Sequence, residues 1–149
     1  MALDVSAGTE TLHAASFADV DATQNLIVGV VHHIYTVLST ICFTVSIGSA
    51  TDTYELIIIG HDHHGGAASN ATGMRVARIV AAAGQTFVFN DKFSFNGFGA
   101  AAYTEPMDTA AEQATIAQQG GTLQVYQMIQ TDSDVDVDCH VTFIDQNNA

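Results

Sequence analysis

Residues 131–145 read Thr-Asp-Ser-Asp-Val-Asp-Val-Asp-Cys-His-Val-Thr-Phe-Ile-Asp, and the fold class turns on what this row of aspartates means. Val135, Val137, Cys139, Val141 and Phe143 occupy odd positions, while Asp134, Asp136, Asp138, His140 and Thr142 occupy even ones. Strict alternation at a period of two marks a half-buried β-strand. The aspartates then share one face, i and i+2 roughly 6.7 Å apart at a rise of ~3.3 Å per residue. Carboxylates at that spacing repel by only about 0.6 kcal/mol in water, so a solvated or partner-facing surface tolerates the row. A calcium site is the alternative, but it asks for oxygens converging within ~2.6 Å of one ion, usually from a curved loop with glycine. A straight strand fans its carboxylates along a line instead.

Strand signals continue outward from this stretch. Residues 123–130 form the preceding strand, and residues 131–134 are expected to join the two as a tight loop. Further back, Tyr35, Val37, Ile41, Phe43, Val45 and Ile47 alternate with Thr36, Thr40, Thr44 and Ser46, and a single period would put the apolar set on one face. Leu26-Ile-Val-Gly-Val-Val31 is another strand signal, and residues 54–59 are apolar on both faces, as in a central strand or a subunit contact. Residues 74–84 fit either a helix stopped by Gly84 or a strand. The β pattern of residues 86–89 and 93–95 favours the strand, and Asn90-Asp91 is expected to turn a hairpin between those two segments. Asp108 is placed to cap a short helix over residues 109–119, closed by Gly120-Gly121. The expected fold is all-β: an antiparallel β-sandwich of jelly-roll type with about eight strands and at most one or two short helices. Residues 1–24, small and polar with apolar Leu3, Val5, Leu12 and Phe17, read as an extended N-terminal arm with room for one short strand, and residues 25–149 as a single sandwich domain.

The 149 residues carry 48% hydrophobic but only 13% charged side chains, with 16 acids against three bases and a net charge of −13. Arg75, Arg78 and Lys92 are the only cations. A phosphate track cannot be neutralised by so few, which argues against nucleic acid and anionic membranes. A basic protein partner or bound cations suit the charge better. The polar surface must come from Thr, Ser, Gln and Asn, which are less costly to desolvate than ions. The opening MALDVSAGTETL has neither a basic nor an apolar run, so it does not read as a signal peptide. No segment is apolar for ~18 residues, the length a membrane helix needs. Cys42 and Cys139 both lie in strand patterns and, without a secretory signal, read as buried thiols, with a disulfide as the alternative.

Chemistry-bearing motifs are few. Gly60-His-Asp-His-His-Gly-Gly66 sets His61 and His63 two apart, as metal-binding imidazoles can be. The His-x-His resembles that of cupins, and His140 is the third histidine such a site would use; the glutamate of the cupin pattern is missing from the residues that follow. His61, His63 and His140 are therefore the candidate metal ligands of a cupin-like enzyme, with surface histidines in a glycine loop as the plainer reading and a structural metal between subunits as a third. No Gly-x-Ser-x-Gly elbow or phosphate-binding glycine motif occurs. No catalytic residue and no cofactor is assigned. Glu55 reads as a wet-face glutamate or a buried acid. Phe87, Phe89, Phe93, Phe95 and Phe98 read as core, with a carbohydrate platform as the alternative.

In size, β pattern, arm and composition the chain is similar in character to the decoration, or cement, proteins of tailed bacteriophage capsids. That resemblance implies a non-catalytic virion protein on the capsid exterior, a homotrimer bridging subunits of the major capsid (coat) protein. The partner interface would comprise Leu3, Val5, Leu12 and Phe17 of the arm, the strand residues Tyr54, Leu56 and Ile58, and the cations Arg75, Arg78 and Lys92. A tail, receptor-binding or carbohydrate-binding sandwich is the alternative.

Overall fold

In this computed structural model, residues 9–30, 32–60, 73–97, 124–130 and 134–147 are described. They form nine strands: β1 (Glu10–Val20), β2 (Gln24–Val28), β3 (His33–Ser46), β4 (Thr53–Ile59), β5 (Met74–Val80), β6 (Thr86–Phe89), β7 (Phe93–Asn96), β8 (Val125–Gln130) and β9 (Asp136–Asn147). All pairings are antiparallel. One sheet has the order β1-β9-β3-β6 with β7 also on β3, and the other has the order β2-β8-β4-β5. The all-β sandwich expected from alternation is what forms, and the helix expected at 109–119 lies outside the described residues. The first strand pairs with the last, the second with the next to last, β3 with β6 and β7, and β4 with β5.

β9 sits between β1 and β3 and behaves as its alternation requires. Val135, Val137 and Val141 are fully buried and Cys139 nearly so, while Asp136, Asp138 and His140 are half-buried on the outer face. Burying one such side chain contributes roughly 1.5–3 kcal/mol.

β3 departs from its expected phase. Tyr35 and Val37 point inward, but Leu38 is an extra residue in the ladder to β9, where Val37 pairs Phe143 and Ser39 pairs Thr142. A bulge of one residue turns every later side chain to the other face. Thr40, Cys42 and Thr44 therefore line the core, and Ile41, Phe43 and Val45 face outward. Thr40 Oγ1 and the Tyr126 hydroxyl are hydrogen-bonded across the sandwich at 2.8 Å, and Thr44 bonds the Tyr54 hydroxyl. The buried polar groups that the phase change admits are thus paired, as burial demands.

The same bulge explains why residues 86–96 form no hairpin. β6 pairs with Thr40–Phe43 of β3 and β7 with its stretch from Ile34 to Val37, both in the same direction. They are two pieces of one edge strand, interrupted opposite Leu38. The tight hairpin expected between β8 and β9 is also absent, because the two lie in different sheets.

The N-terminal arm expected over residues 1–24 is not free along its length. Residues 10–20 are β1, laid on β9 from Glu10↔Gln146 to Val20↔Val137, and β2 begins at Gln24. Within β1, Ala15 and Phe17 pack against the core and Val20 is buried. The alternation was hidden by the small residues between them. Where β2, β7 and β8 meet, Gly29 donates its N–H to the Gln124 carbonyl at 2.8 Å and Gln124 donates to Gly97 at 3.2 Å. A Cβ on Gly29 would collide with the Gly97 carbonyl, and one on Gly97 with the Val30 carbonyl. Backbone approaches this close admit only glycine.

Candidate interaction surface

The outer face of the β1-β9-β3-β6 sheet carries the aspartate row and His140 singled out in the sequence. Each acid on β9 is tied to a neighbouring strand. Ser46 Oγ donates to Asp136 Oδ2 at 2.8 Å, and the Asp19 N–H donates to Asp138 Oδ1 at 3.0 Å. Asp19 has φ 51°, a left-handed conformation that aspartate tolerates better than most residues, and it marks the irregularity that ends β1. His140 Nδ1 and Ser16 Oγ are hydrogen-bonded at 2.6 Å. The aspartate row is an outer face, as alternation implied, and its side chains are held by hydrogen bonds to β1 and β3.

Beside this polar line runs an apolar one. Ile41 is paired with His140 on one side and Val88 on the other. Phe43 is paired with Asp138, and Val45 follows. Phe43 is 40% and Val88 50% exposed, so the sheet shows water a strip that elsewhere in the molecule would be core. A groove of about 340 Å³ lies across β1, β9 and β3, lined by Ser16, Phe17, Ala18, Ile41, Phe43 and Asp138 among others. It combines apolar walls with an acid, a hydroxyl and an imidazole. The strip was missed in the sequence because single-phase alternation put Ile41, Phe43 and Val45 inside.

The other residues expected at an interface are placed differently. Tyr54, Leu56 and Ile58 are core, on a strand flanked by β8 and β5, with exposures of 1%, 0% and 4%; they offer no surface to a partner. An apolar stretch with no wet face had suggested a contact, but on the outer side of β4 both Glu55 and Ile57 are themselves buried. Arg75 Nη2 approaches Glu55 Oε1 at 2.9 Å and Arg78 Nε approaches it at 3.5 Å. Two residues three apart on a regular strand face opposite ways. In β5, Glu55 pairs Arg78 and Ile57 pairs Arg75, so Val76 is extra and both arginines reach the same carboxylate. Glu55 is thus a buried acid with two cations over it, and those cations are engaged within the chain. Lys92 is exposed. Leu12 is 68% exposed on β1, Phe17 is half-buried against the core, and Leu3 and Val5 lie outside the described residues.

Of the candidate metal ligands, His61 and His63 lie outside the described residues, and His140 is bonded to Ser16. Among the described residues no group of three or more His, Cys, Asp or Glu side chains is arranged to hold a metal ion. At one end of the inner face, His33 Nδ1 and Asp145 Oδ1 approach to 2.6 Å beside Tyr35, and His13 stacks on Phe143 at 5.1 Å. Phe89, Phe93 and Phe95 pack on one another and on Tyr126 and Tyr35, which makes them core rather than a sugar platform; Phe98 lies outside the described residues. Burial pushes the Tyr54 and Tyr126 hydroxyls well above the usual phenol range, and the Cys42 thiol beside Cys139, together with burial, raises the Cys139 thiol.

No protein-family model and no curated protein matches the chain. Among solved structures the chain is similar, at a TM-score of 0.42 and 9% identity, to one described as "Bacillus endospore appendages form a novel family of disulfide-linked pili", covering 95% of this chain and 88% of that one.

Proposed function

We propose that the chain is a non-catalytic structural protein of a virion, a sandwich of jelly-roll type that decorates a capsid as an oligomer and stabilises it by bridging coat subunits. Pairing of the first strand with the last, the second with the next to last and so inward supports the jelly-roll reading, since a rolled-up pair of Greek keys pairs in this order. The observation that carries the functional reading is the outward strip Ile41, Phe43, Val45 and Val88 on the outer face of the β1-β9-β3-β6 sheet. An apolar strip rimmed by polar groups marks an interaction surface. Its acids, Asp136 and Asp138, fit a coat-protein segment that brings apolar side chains and a basic group, and they repel a second copy of the same acidic face. Oligomerisation would let several such contacts act at once, so that modest individual affinities add to firm attachment.

Deleting residues 1–24 is a poor test, because it removes β1 from the sheet. A single substitution on the strip is cleaner. The full chain should co-sediment with empty capsids of its virus and raise the temperature at which they open. Phe43→Asp, whose side chain points to water, should fold normally yet bind at least tenfold more weakly, about 1.4 kcal/mol or more. Equal binding by Phe43→Asp would remove this face from the contact, and an intact chain that neither pellets nor protects would end the decoration reading.

A further inference from the structure

Cys42 on β3 and Cys139 on β9 are direct partners in the ladder. Both are buried and carry free thiols, with the sulfurs 3.9 Å apart and Cys42 Sγ donating to Cys139 Sγ. Cys42 faces inward only because the Leu38 bulge shifts the phase of β3, so the pairing is a product of the fold and not of the sequence spacing. Directly opposed residues on antiparallel strands have Cα atoms about 4.5–5.5 Å apart, inside the ~4.4–6.8 Å that a disulfide spans. A bond of ~2.05 Å then requires the sulfurs to close by roughly 2 Å, which rotation about the two Cα–Cβ bonds can supply. The surroundings favour a structural rather than a reactive pair. Arg75 and Arg78 sit on Glu55 in the other sheet and Lys92 is exposed, and the hydroxyls of Tyr126 and Tyr54 are held by Thr40 and Thr44. The neighbouring Cys42 thiol and burial raise the Cys139 thiol, so the dithiol persists until an oxidant acts.

We propose that Cys42 and Cys139 are a redox-closable staple, oxidised in place to a disulfide that ties the two long central strands of the β1-β9-β3-β6 sheet together. The bond would link residues 97 apart in sequence. A covalent link closing so long a loop removes much of the unfolded chain's freedom. Its position suits a role under load, because β3 and β9 carry the longest pairing among the described residues, from His33↔Asn147 to Ser46↔Asp136. The chemistry is a two-electron oxidation: two S–H bonds are lost, one S–S bond forms, and an oxidant accepts two electrons and two protons.

The thiol-specific oxidant diamide, whose N=N bond is reduced to a hydrazine as the thiols are oxidised, supplies the test. The folded full chain is treated with it, with a urea-unfolded sample as the control for reagent activity. The expected product is a monomer that has lost two hydrogens, takes up no thiol label even when unfolded, and melts about 10 °C higher. Dithiothreitol should return both thiols and the original melting temperature. Cys42→Ala, with one thiol left, should show no such rise. Thiols that survive in the folded chain while the unfolded control is oxidised would overturn the proposal. So would a linked dimer, or an oxidised monomer that melts no higher than the dithiol.

Discussion

β9 and β3 run side by side and both alternate apolar with polar residues, yet their sequences relate to their faces differently. On β9 the alternation keeps one phase from Val135 to Val141, and every apolar residue in that stretch is buried. On β3 the phase changes at Leu38. The threonines and Cys42 then go inside, and Ile41, Phe43 and Val45 go outside. Hydrophobicity alone would have placed β3 the other way round beyond Val37. Two effects hold it as it is. Thr40 and Thr44 find tyrosine hydroxyls across the core, so their burial leaves no polar group unpaired. The outward apolar residues form the strip on which the functional proposal rests.

If Leu38 is the extra residue, one-residue deletions should treat the two strands unequally, and this is the largest contrast expected. Removing Leu38 leaves Val37↔Phe143 and Ser39↔Thr142 as consecutive pairs, so both halves of β3 keep their faces. That variant should fold, with a loss of about 1–2 kcal/mol from the missing half-buried side chain. Removing His140 from β9 has no such escape. Either the residues before it or those after it must turn over, and turning Asp136 and Asp138 inward would bury unpaired carboxylates. That variant should show no cooperative melting transition. Equal behaviour of the two deletions, read by circular dichroism on heating, would show that the bulge is not at Leu38.

Point substitutions sharpen the same contrast at smaller cost. Val137 is fully buried on the inner face of β9, whereas Phe43, larger and on the outer face of β3, is 40% exposed. Val137→Ala should destabilise by about 2–3 kcal/mol through lost burial and the cavity left behind. Phe43→Ala should cost less than about 1 kcal/mol, although it deletes far more side chain. Urea unfolding of the two variants measures the difference. A Phe43→Ala loss as large as that of Val137→Ala would mean that Phe43 belongs to the core after all.

The sandwich was legible because period-two alternation in β9, β3 and the flanking runs is a direct image of half-buried strands. The exposed strip was not, because a bulge is set by pairing with a partner strand and leaves no mark in the bulged strand itself: Val37-Leu38-Ser39 looks like any other step in β3. The same holds for Val76, the extra residue that turns Arg75 and Arg78 onto Glu55. Residues 54–59 misled for the opposite reason. They are apolar on both faces, and the chain uses them as a central strand, which sequence alone could not distinguish from a strand awaiting another subunit. The length and place of β1 within the arm were concealed by its alanines, since Ala14, Ala15 and Ala18 fit either face. Of the candidate site, the aspartate row was read from the sequence as a wet or partner-facing side, while His140 was singled out only as a metal ligand. Their partners Ser16, Ser46 and the backbone of Asp19 come from strands more than 80 residues away and carry no local signal.

The smallest expected effect reads the inner face of β3 directly. Thr40 and Thr44 hold the Tyr126 and Tyr54 hydroxyls, and burial raises both tyrosines above their ordinary value of 10.0. A protonated tyrosine is neutral, so the folded state keeps these protons while the unfolded chain releases them from pH 10 upward. Their contribution to stability is therefore complete below pH 10 and is lost as pH rises beyond it, by roughly 1.4 kcal/mol per pH unit for each tyrosine. The melting temperature should be level from pH 7 to about 9 and fall above 10, together with a delayed, cooperative appearance of tyrosinate absorbance. Thr40→Val should lower stability at neutral pH by about 1 kcal/mol, because it leaves the buried Tyr126 hydroxyl without its partner, while the alkaline fall persists, since burial rather than the threonine is what raises the tyrosine. Tyrosines that titrate together near pH 10 without unfolding would place those hydroxyls in water, and with them would go the inward phase of Thr40 and Thr44 that separates β3 from β9.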